Sequence, residues 1–138
     1  MNINKVAILV KKSTLECEKS SNPVLEKYEL TMAQYRILKL LYSESYGTLR
    51  LTDIEKYFSL THPTAIGILQ NLEKKDLIEK LDNPNHMRSK FIVPSKKALA
   101  IQKELESVGT ELESKLTHRL SSEEHKQLVS LLKKMLGI

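Results

Sequence analysis

The chain has 138 residues, which is the size of one domain and enough for a hydrophobic core. Its net charge of +5 and isoelectric point near 9.2 are compatible with nucleic-acid binding but do not establish it. Cys17 is the only cysteine, which excludes an internal disulfide and fits a reducing cytoplasm. No apolar run approaches the roughly 18 residues that span a bilayer, and the N-terminus lacks a signal-peptide cleavage site. We therefore expect a cytoplasmic protein without a membrane partner.

The N-terminal third is predicted to be helical. Residues 3–19 and 24–29 are expected to form two helices, separated by a Ser-Asn-Pro break. A third helix is predicted to begin at a capping box, in which Thr31 and Gln34 each accept a hydrogen bond from the other's backbone N–H. Its apolar residues recur with the period of a helix that has one buried face.

Residues 51–74 have the pattern of two helices joined by a tight turn. Thr52 and Glu55 are predicted to form a capping box at the start of the first helix. The turn falls at Ser59, and Thr61 can cap the second helix. This arrangement predicts a helix-turn-helix.

The second of these helices has two different faces. Its inward side is apolar and consists of Ala65, Ile68, Leu69 and Leu72. Its outward stripe consists of Pro63, Gly67, Gln70 and Lys74, flanked by Thr64, Ile66 and Asn71. A solvated helix would normally carry more Glu and Lys on its outer side. The outward stripe is therefore predicted to be a binding surface.

A hairpin and two more helices are predicted for the remainder. Residues 77–93 form the hairpin, with a turn signal at 82–85 and a basic tip at Arg88 and Lys90. The long helix that follows carries an apolar stripe of Leu99, Ile101, Leu105, Val108, Leu112 and Leu116. Ser121 and Glu124 form a capping box that opens the last helix.

The terminal helices carry more apolar surface than one thin domain can bury. A second copy of the chain is the economical partner, and a twofold dimer would place two recognition helices roughly 34 Å apart, one turn of DNA. The fold class is thus mainly α with a small β-hairpin wing. We predict a single domain over residues 1–138. Residues 1–29 and 99–138 supply dimerisation helices, and residues 30–98 form a winged helix-turn-helix DNA-binding lobe.

These segments together resemble the MarR-type winged helix-turn-helix regulators over nearly the whole chain. The resemblance rests on LTMAQYRIL at 30–38, on the spacing of apolar residues from Leu51 through KKDLIEK, and on DNPNHMRSKFIVPSKKA at 82–98. It implies a homodimeric, usually repressing transcription factor. Members of that family commonly release DNA when a small, often phenolic, ligand or an oxidant acts on the dimer.

The sequence departs from the family pattern at three places. His86 stands where the family wing usually has an Asp that braces its Arg, here Arg88. Asp76 replaces the usual Gly after the recognition helix, so it must end that helix in a less favourable backbone conformation. Gly67 replaces a frequent basic residue and costs about 1 kcal/mol of helix propensity relative to Ala. Close approach to DNA and a tight helix crossing are both open explanations of Gly67.

Candidate DNA contacts follow from the helix and the wing. Gln70 and Asn71 can read base edges, and Ile66 suits a thymine methyl or a pocket. Arg88 can enter the minor groove. The full set is Thr61, His62, Pro63, Thr64, Ile66, Gly67, Gln70, Asn71, Lys74, Arg88 and Lys90. The alternatives are plain surface amides for Gln70 and Asn71, N-capping for Thr61 and simple solvation for the lysines.

The predicted partners are a near-palindromic operator in double-stranded DNA, a second copy of the chain and a small-molecule effector. We expect that effector between the dimerisation helices and the winged lobe. No cofactor, metal or enzymatic activity is predicted, because no His or Cys cluster has ligand spacing and no catalytic motif occurs. Two alternatives stay open: a winged-helix protein-interaction module that has lost DNA binding, and a thiol-based redox sensor that uses Cys17.

Overall fold

The computed structural model describes residues 4–19, 21–43, 47–86 and 88–138. The elements in chain order are α1 Val6–Glu18, α2 Pro23–Lys27, α3 Met32–Ser43, α4 Leu51–Phe58, α5 His62–Lys74, β1 Ile78–Leu81, β2 Phe91–Pro94, α6 Lys96–Thr117 and α7 Ser122–Leu136. This order confirms the predicted mainly helical fold with one hairpin. Among the described residues, no helix is both long enough and apolar enough to cross a bilayer.

The chain divides into two compact units. One unit comprises Met1–Asn22 and Ser107–Ile138, and the other comprises Pro23–Glu106. The boundaries predicted from the sequence for the dimerisation helices and the DNA-binding lobe differ from these and stay a prediction.

The first unit leaves much of its apolar surface exposed. The exposed large apolar residues of its helices α1, α6 and α7 and of the C-terminus are Val6, Ile8, Leu9, Val10, Leu15, Leu116, Leu128, Val129, Leu131, Met135, Leu136 and Ile138. Helix α7 buries none of its residues, although it is well capped. The Ser121–Glu124 capping box forms as predicted, with distances of 2.9 Å and 3.1 Å between nitrogen and oxygen. The helix is therefore locally stable but has an apolar face without cover in the single chain.

The second unit has a compact apolar core. Its most deeply buried large side chains are Ile37, Leu38, Ile54, Leu72, Leu77 and Leu105. The Thr31–Gln34 capping box opens α3 as predicted, with both nitrogen–oxygen distances at 3.2 Å. Gln34 is itself buried, and its Oε1 also accepts a 2.8 Å hydrogen bond from Lys75 Nζ. This bond ties the start of α3 to the end of α5.

Helix α4 begins earlier than the sequence predicted. The proposed Thr52–Glu55 capping box was wrong, because Leu51 is already helical. The carboxylate of Asp53 accepts the 2.9 Å hydrogen bond from the backbone N–H of Arg50. That bond, together with the neighbouring Arg50 guanidinium, holds the pKa of Asp53 below its ordinary value. An acceptor that satisfies the first N–H group fixes the helix start.

The turn between α4 and α5 is a Schellman motif. Ser59 adopts the left-handed conformation with φ of 53°. The N–H of Ser59 bonds to the carbonyl of Lys56, and the N–H of Leu60 bonds to the carbonyl of Glu55 at 2.9 Å. These bonds close α4 and direct the chain into the recognition helix α5.

The end of α5 confirms the strain expected at Asp76. Its φ is 60°, in the left-handed region that favours Gly. The N–H of Leu77 bonds to the carbonyl of Leu72 at 3.0 Å, which again is the Schellman pattern. Ser95 Oγ donates a 2.7 Å hydrogen bond to the carbonyl of Asp76 and helps to hold this conformation.

The wing is an antiparallel hairpin. Strand β1 pairs with β2 from Ile78 opposite Pro94 to Leu81 opposite Phe91. The segment just before α4 pairs with β2. Arg50 forms a β-bridge with Phe91, and the N–H of Ile92 donates to the Leu49 carbonyl at 2.8 Å. These two contacts anchor the segment just before α4 to the wing.

Candidate nucleic-acid interface

Helix α5 exposes the stripe that the sequence predicted. Ala65, Leu69 and Leu72 are buried, whereas Ile68 is half-buried. The exposed candidates are Thr61, His62, Pro63, Thr64, Gln70, Asn71 and Lys74, and the half-buried ones are Ile66 and Gly67. The structure therefore places nine of the eleven candidate contacts, these same residues, on α5 or at its cap.

The N-terminus of α5 is organised by hydrogen bonds. Thr61 Oγ1 accepts from the backbone N–H of Thr64 at 3.4 Å and lies 2.8 Å from Thr64 Oγ1. The predicted N-cap role of Thr61 is confirmed. His62 Nδ1 lies 2.7 Å from Glu55 Oε1, across the turn. A helix N-terminus with unbonded N–H groups attracts anions such as phosphates.

Gly67 lies in open space. A Cβ atom built on Gly67 would have no heavy atom within 4 Å beyond its own helix backbone and chain neighbours. A tight crossing with another described helix of the chain therefore does not explain this glycine. Of the two explanations given by the sequence, close approach of an external partner is the one that remains.

Arg88 and Lys90, the two cations at the tip of the wing, differ in their pairing. Arg88 is exposed and forms no ion pair with any residue that the structure describes. Lys90 Nζ instead bonds to the carboxylate of Asp82, at the base of the wing loop. This hydrogen bond, with the charge on Lys90, holds the pKa of Asp82 below its ordinary value. A contact between Lys90 and a DNA phosphate would therefore compete with the ion pair between Lys90 and Asp82.

The wing loop has its own internal support. Asn83 is buried, and its Oδ1 accepts a 3.0 Å hydrogen bond from the backbone N–H of Asn85. The N–H of His86 bonds to the carbonyl of Asn83 at 3.1 Å, and the N–H of Ser89 bonds to the carbonyl of His86 at 3.1 Å. This turn chemistry stands where the usual carboxylate brace of Arg88 is missing.

A groove of about 450 Å³ runs between α5 and the wing. Its lining combines both groups of predicted residues and includes Ile66, Gln70, His86, Arg88 and Lys90. The tertiary structure thus brings a helix-borne amide and the wing-borne cations onto one concave surface.

Comparisons with known proteins identify this arrangement. The MarR family model matches residues 30–90. The HTH-type transcriptional regulator MgrA of Staphylococcus aureus is 30% identical over 116 residues, which cover 84% of this chain and 76% of MgrA. The chain belongs to the MarR family.

Solved structures of MarR-family proteins agree with the fold. The S. aureus MepR–DNA complex aligns with a TM-score of 0.83 at 29% identity, over 96% of this chain and 97% of MepR. A mutant MarR from E. coli in complex with operator DNA aligns with a TM-score of 0.82 at 25% identity, over 97% of this chain and 95% of that MarR. The winged helix-turn-helix fold predicted from the sequence is confirmed.

Membership of the MarR family sets the general function. The chain is a DNA-binding transcriptional regulator, as its relatives are transcriptional regulators rather than enzymes. The individual DNA contacts predicted for this MarR-family chain stay a prediction.

Sequence reasoning missed two carboxylates near the MarR-type interface. Glu55 was assigned to a capping box, but its side chain bonds to His62. Asp82 was regarded only as part of a turn signal, but it pairs with Lys90. Opposite charges on either side of a hairpin turn were the available signal for the second pair. No local signal marks the first, because its two residues lie on different helices.

Cys17 belongs to helix α1 of the first unit. It is 7% exposed, and its Sγ donates a 3.2 Å hydrogen bond to the carbonyl of Thr14. Redox sensing through Cys17 stays a prediction. Among the described residues, no group of three His, Cys, Asp or Glu side chains could hold a metal ion.

Proposed function

We propose that this MarR-family chain is a cytoplasmic homodimeric repressor that binds a near-palindromic operator and is released by a small-molecule effector. The observation that carries the proposal is that Ile66 and Gln70 of α5 and the exposed Arg88 of the wing line one groove. The aligned MepR structure is a complex with DNA, and the aligned structure of a mutant MarR is a complex with operator DNA. The same surface in this chain has the residue types that read DNA.

The proposed DNA contacts fall into two groups, those that position the protein on DNA and those that read the base sequence. The phosphates are bound by Thr61, the N-cap of α5, and by Thr64 and Lys74 near the two ends of that helix. These contacts fix the register of the protein on DNA. Gln70 faces the major groove and reads a base edge, with adenine as its usual partner. Arg88 enters the adjacent minor groove from the wing.

The dimer is proposed from the uncovered apolar faces of the first unit. Val6 is 57% exposed on α1, and Leu136 is 70% exposed on α7. Patches of this kind mark protein–protein contacts, since monomers rarely leave long apolar stripes in water. A second copy of the chain presents the same stripes under twofold symmetry and matches the symmetry of a near-palindromic operator.

The effector site is proposed from a cavity within the first unit, whereas the sequence led us to expect it between the dimerisation helices and the winged lobe. The cavity is open, has a volume of about 1020 Å³, and is lined by residues of α1 and α6 that include Leu9, Cys17, Glu111, Lys115 and Leu116. Its lining is mostly polar and charged, with Leu9, Cys17 and Leu116 as apolar members, which suits a small polar effector with an apolar part. Effector binding releases DNA by favouring a different spacing of the two recognition helices.

The test is binding of purified protein to the DNA upstream of its own gene, at two salt concentrations and with scrambled DNA as the control. We expect tight binding to one short near-palindrome that weakens steeply as salt is added, because phosphate contacts release counterions. Sedimentation should give two chains per operator. Binding no tighter than to scrambled DNA at low salt would reject the proposal and favour the protein-interaction module.

A further inference from the structure

A side-chain hydrogen bond joins His62, at the start of α5, to Glu55 on α4. His62 is the first residue of α5, and its side chain is 63% exposed. Glu55 lies on α4, with a side chain that is only 19% exposed, and its backbone carbonyl closes the turn between the helices. Nδ1 of the ring lies 2.7 Å from Oε1 of Glu55. The Glu55 carboxylate on α4 therefore binds the exposed His62 ring at Nδ1.

The carboxylate also decides where the ring carries its proton. An ionised carboxylate only accepts hydrogen bonds, so Nδ1 must be the nitrogen that donates. In a neutral imidazole the other nitrogen, Nε2, then has a lone pair and cannot donate. Nε2 becomes a donor only when the ring is protonated and positively charged.

We infer that Glu55 is a positioning residue that fixes His62 with its proton on Nδ1, so that His62 donates to a DNA phosphate only as an imidazolium. The inference rests on the proposed function, because it requires DNA at the N-terminus of α5. That position in a recognition helix lies against the DNA backbone and base edges. Phosphate oxygens are acceptors, so operator binding through His62 takes up a proton wherever the free protein holds a neutral ring.

The other acidic residues of α4 and α5 pair with cations rather than with His62. On α4, Asp53 pairs with Arg50 at 3.3 Å, and on α5, Glu73 pairs with Lys80 at 3.6 Å. The remaining charged residues of these helices are Lys56 and Lys74. Glu55 is the charged partner that the structure gives to His62.

The first test is the pH dependence of operator affinity at constant ionic strength, between about pH 6 and pH 8, where an imidazole titrates. For the wild type, Kd should rise with pH, by up to about tenfold per pH unit for each proton taken up. His62→Gln keeps a neutral donor at every pH, so its profile should be flatter by about one proton per chain. A His62→Gln profile with the wild-type slope would overturn the inference.

Glu55→Ala separates positioning from a general structural effect. The freed ring can carry its proton on Nε2 and donate while neutral, so the variant should gain more affinity at high pH than at low pH. In the His62→Gln background, Glu55→Ala should change affinity by the same factor at both pH values. A role of Glu55 that does not act through the His62 ring, whether structural or through general repulsion of DNA, would act equally at both pH values in either background. That result would overturn the inference.

The second test needs no DNA. Nitrogen-15 NMR of the imidazole, assigned with His62→Gln, should place the proton of the neutral ring on Nδ1 in the wild type and shift it toward Nε2 in Glu55→Ala. A wild-type ring with its proton on Nε2 would refute the positioning role. If the ring has its proton on Nδ1 but wild-type protein binds no operator, the proposed function fails while the positioning of His62 stands.

Discussion

Gly67→Ala should stabilise the protein and weaken its binding to DNA. Gly67 lies inside α5, where glycine costs about 0.8–1.0 kcal/mol relative to alanine, largely through backbone entropy. The new methyl group would contact nothing within 4 Å outside its own helix. No packing penalty offsets the gain, so the free energy of unfolding should rise by about 1 kcal/mol.

The binding change has the opposite sign. If Gly67 permits close approach of DNA, the added methyl group forces the helix outward, and overpacking of this kind costs about 1–3 kcal/mol. Operator affinity should therefore fall by about 5-fold to 150-fold. Effects of this kind are a known conflict between stability and function.

The assays are thermal unfolding and operator binding on the same protein samples. An increase of about 4 °C in Tm corresponds to a gain of this size in a chain of this length. Protein concentration must be held fixed, because association shifts apparent stability. Gly137→Ala is the matched control: its Cβ also meets nothing within 4 Å, but its φ is +73°. We expect no gain in stability there.

Two results would refute the reasoning for Gly67. An unchanged or lower Tm would mean that helix propensity does not govern this position. A higher Tm with unchanged operator affinity would mean that DNA does not approach the helix at Gly67.

Four further predictions concern the wing, the recognition stripe and the end of α5. Arg88→Ala should weaken binding to all operator variants about equally, whereas Gln70→Ala should change preference at one base position, measured with single-base operator variants; equal losses across the variants for Gln70→Ala would remove it from the base readers. Asp82→Asn should free the charge of Lys90 to contact a phosphate. Operator affinity at low salt should rise, and the slope of log Kd against log salt should steepen by about one per chain. An unchanged slope would count against a phosphate contact by Lys90. The hydrogen bond and charge of Lys90 lower the pKa of Asp82, so the pair is fully formed above the ordinary pKa of an Asp and is lost only as pH falls through the lowered value; the NMR titration of Asp82 should show this, and Lys90→Ala should abolish it. Asp76→Gly should raise the free energy of unfolding by about 0.5–1 kcal/mol, because glycine adopts a φ of 60° without the side-chain penalty; a destabilised variant would contradict this account.

Where a feature depends on neighbours a few residues apart, the sequence predicted it well. The Thr31–Gln34 and Ser121–Glu124 capping boxes form because each joins a side chain to a backbone group three residues away. The left-handed conformation of Asp76 was predicted because Asp76 stands where the family pattern has Gly just after the recognition helix, a position that helices commonly close with a left-handed residue. The hairpin followed from its dense turn signal.

The start of α4 shows how such local reasoning can fail. Two acidic residues, Asp53 and Glu55, were both spaced to satisfy an N-terminal N–H group. The structure uses Asp53, which bonds to the N–H of Arg50, a residue held in place by its bridge to Phe91 on the wing. A contact distant in sequence chose between two locally similar caps.

The sequence alone determined the helices, the turn between α4 and α5, and the identity of the stripe on α5, because period and capping are local properties of the chain. Only the tertiary structure decided which charges are free at the interface. Lys90 is paired with Asp82, His62 is held by Glu55, and Arg88 is left exposed. Opposite charges flanking the hairpin turn were a signal for Asp82 and Lys90, but only the folded hairpin joins them. His62 and Glu55 lie on different helices and meet only after the backbone has folded, so no spacing along the chain could specify that pair.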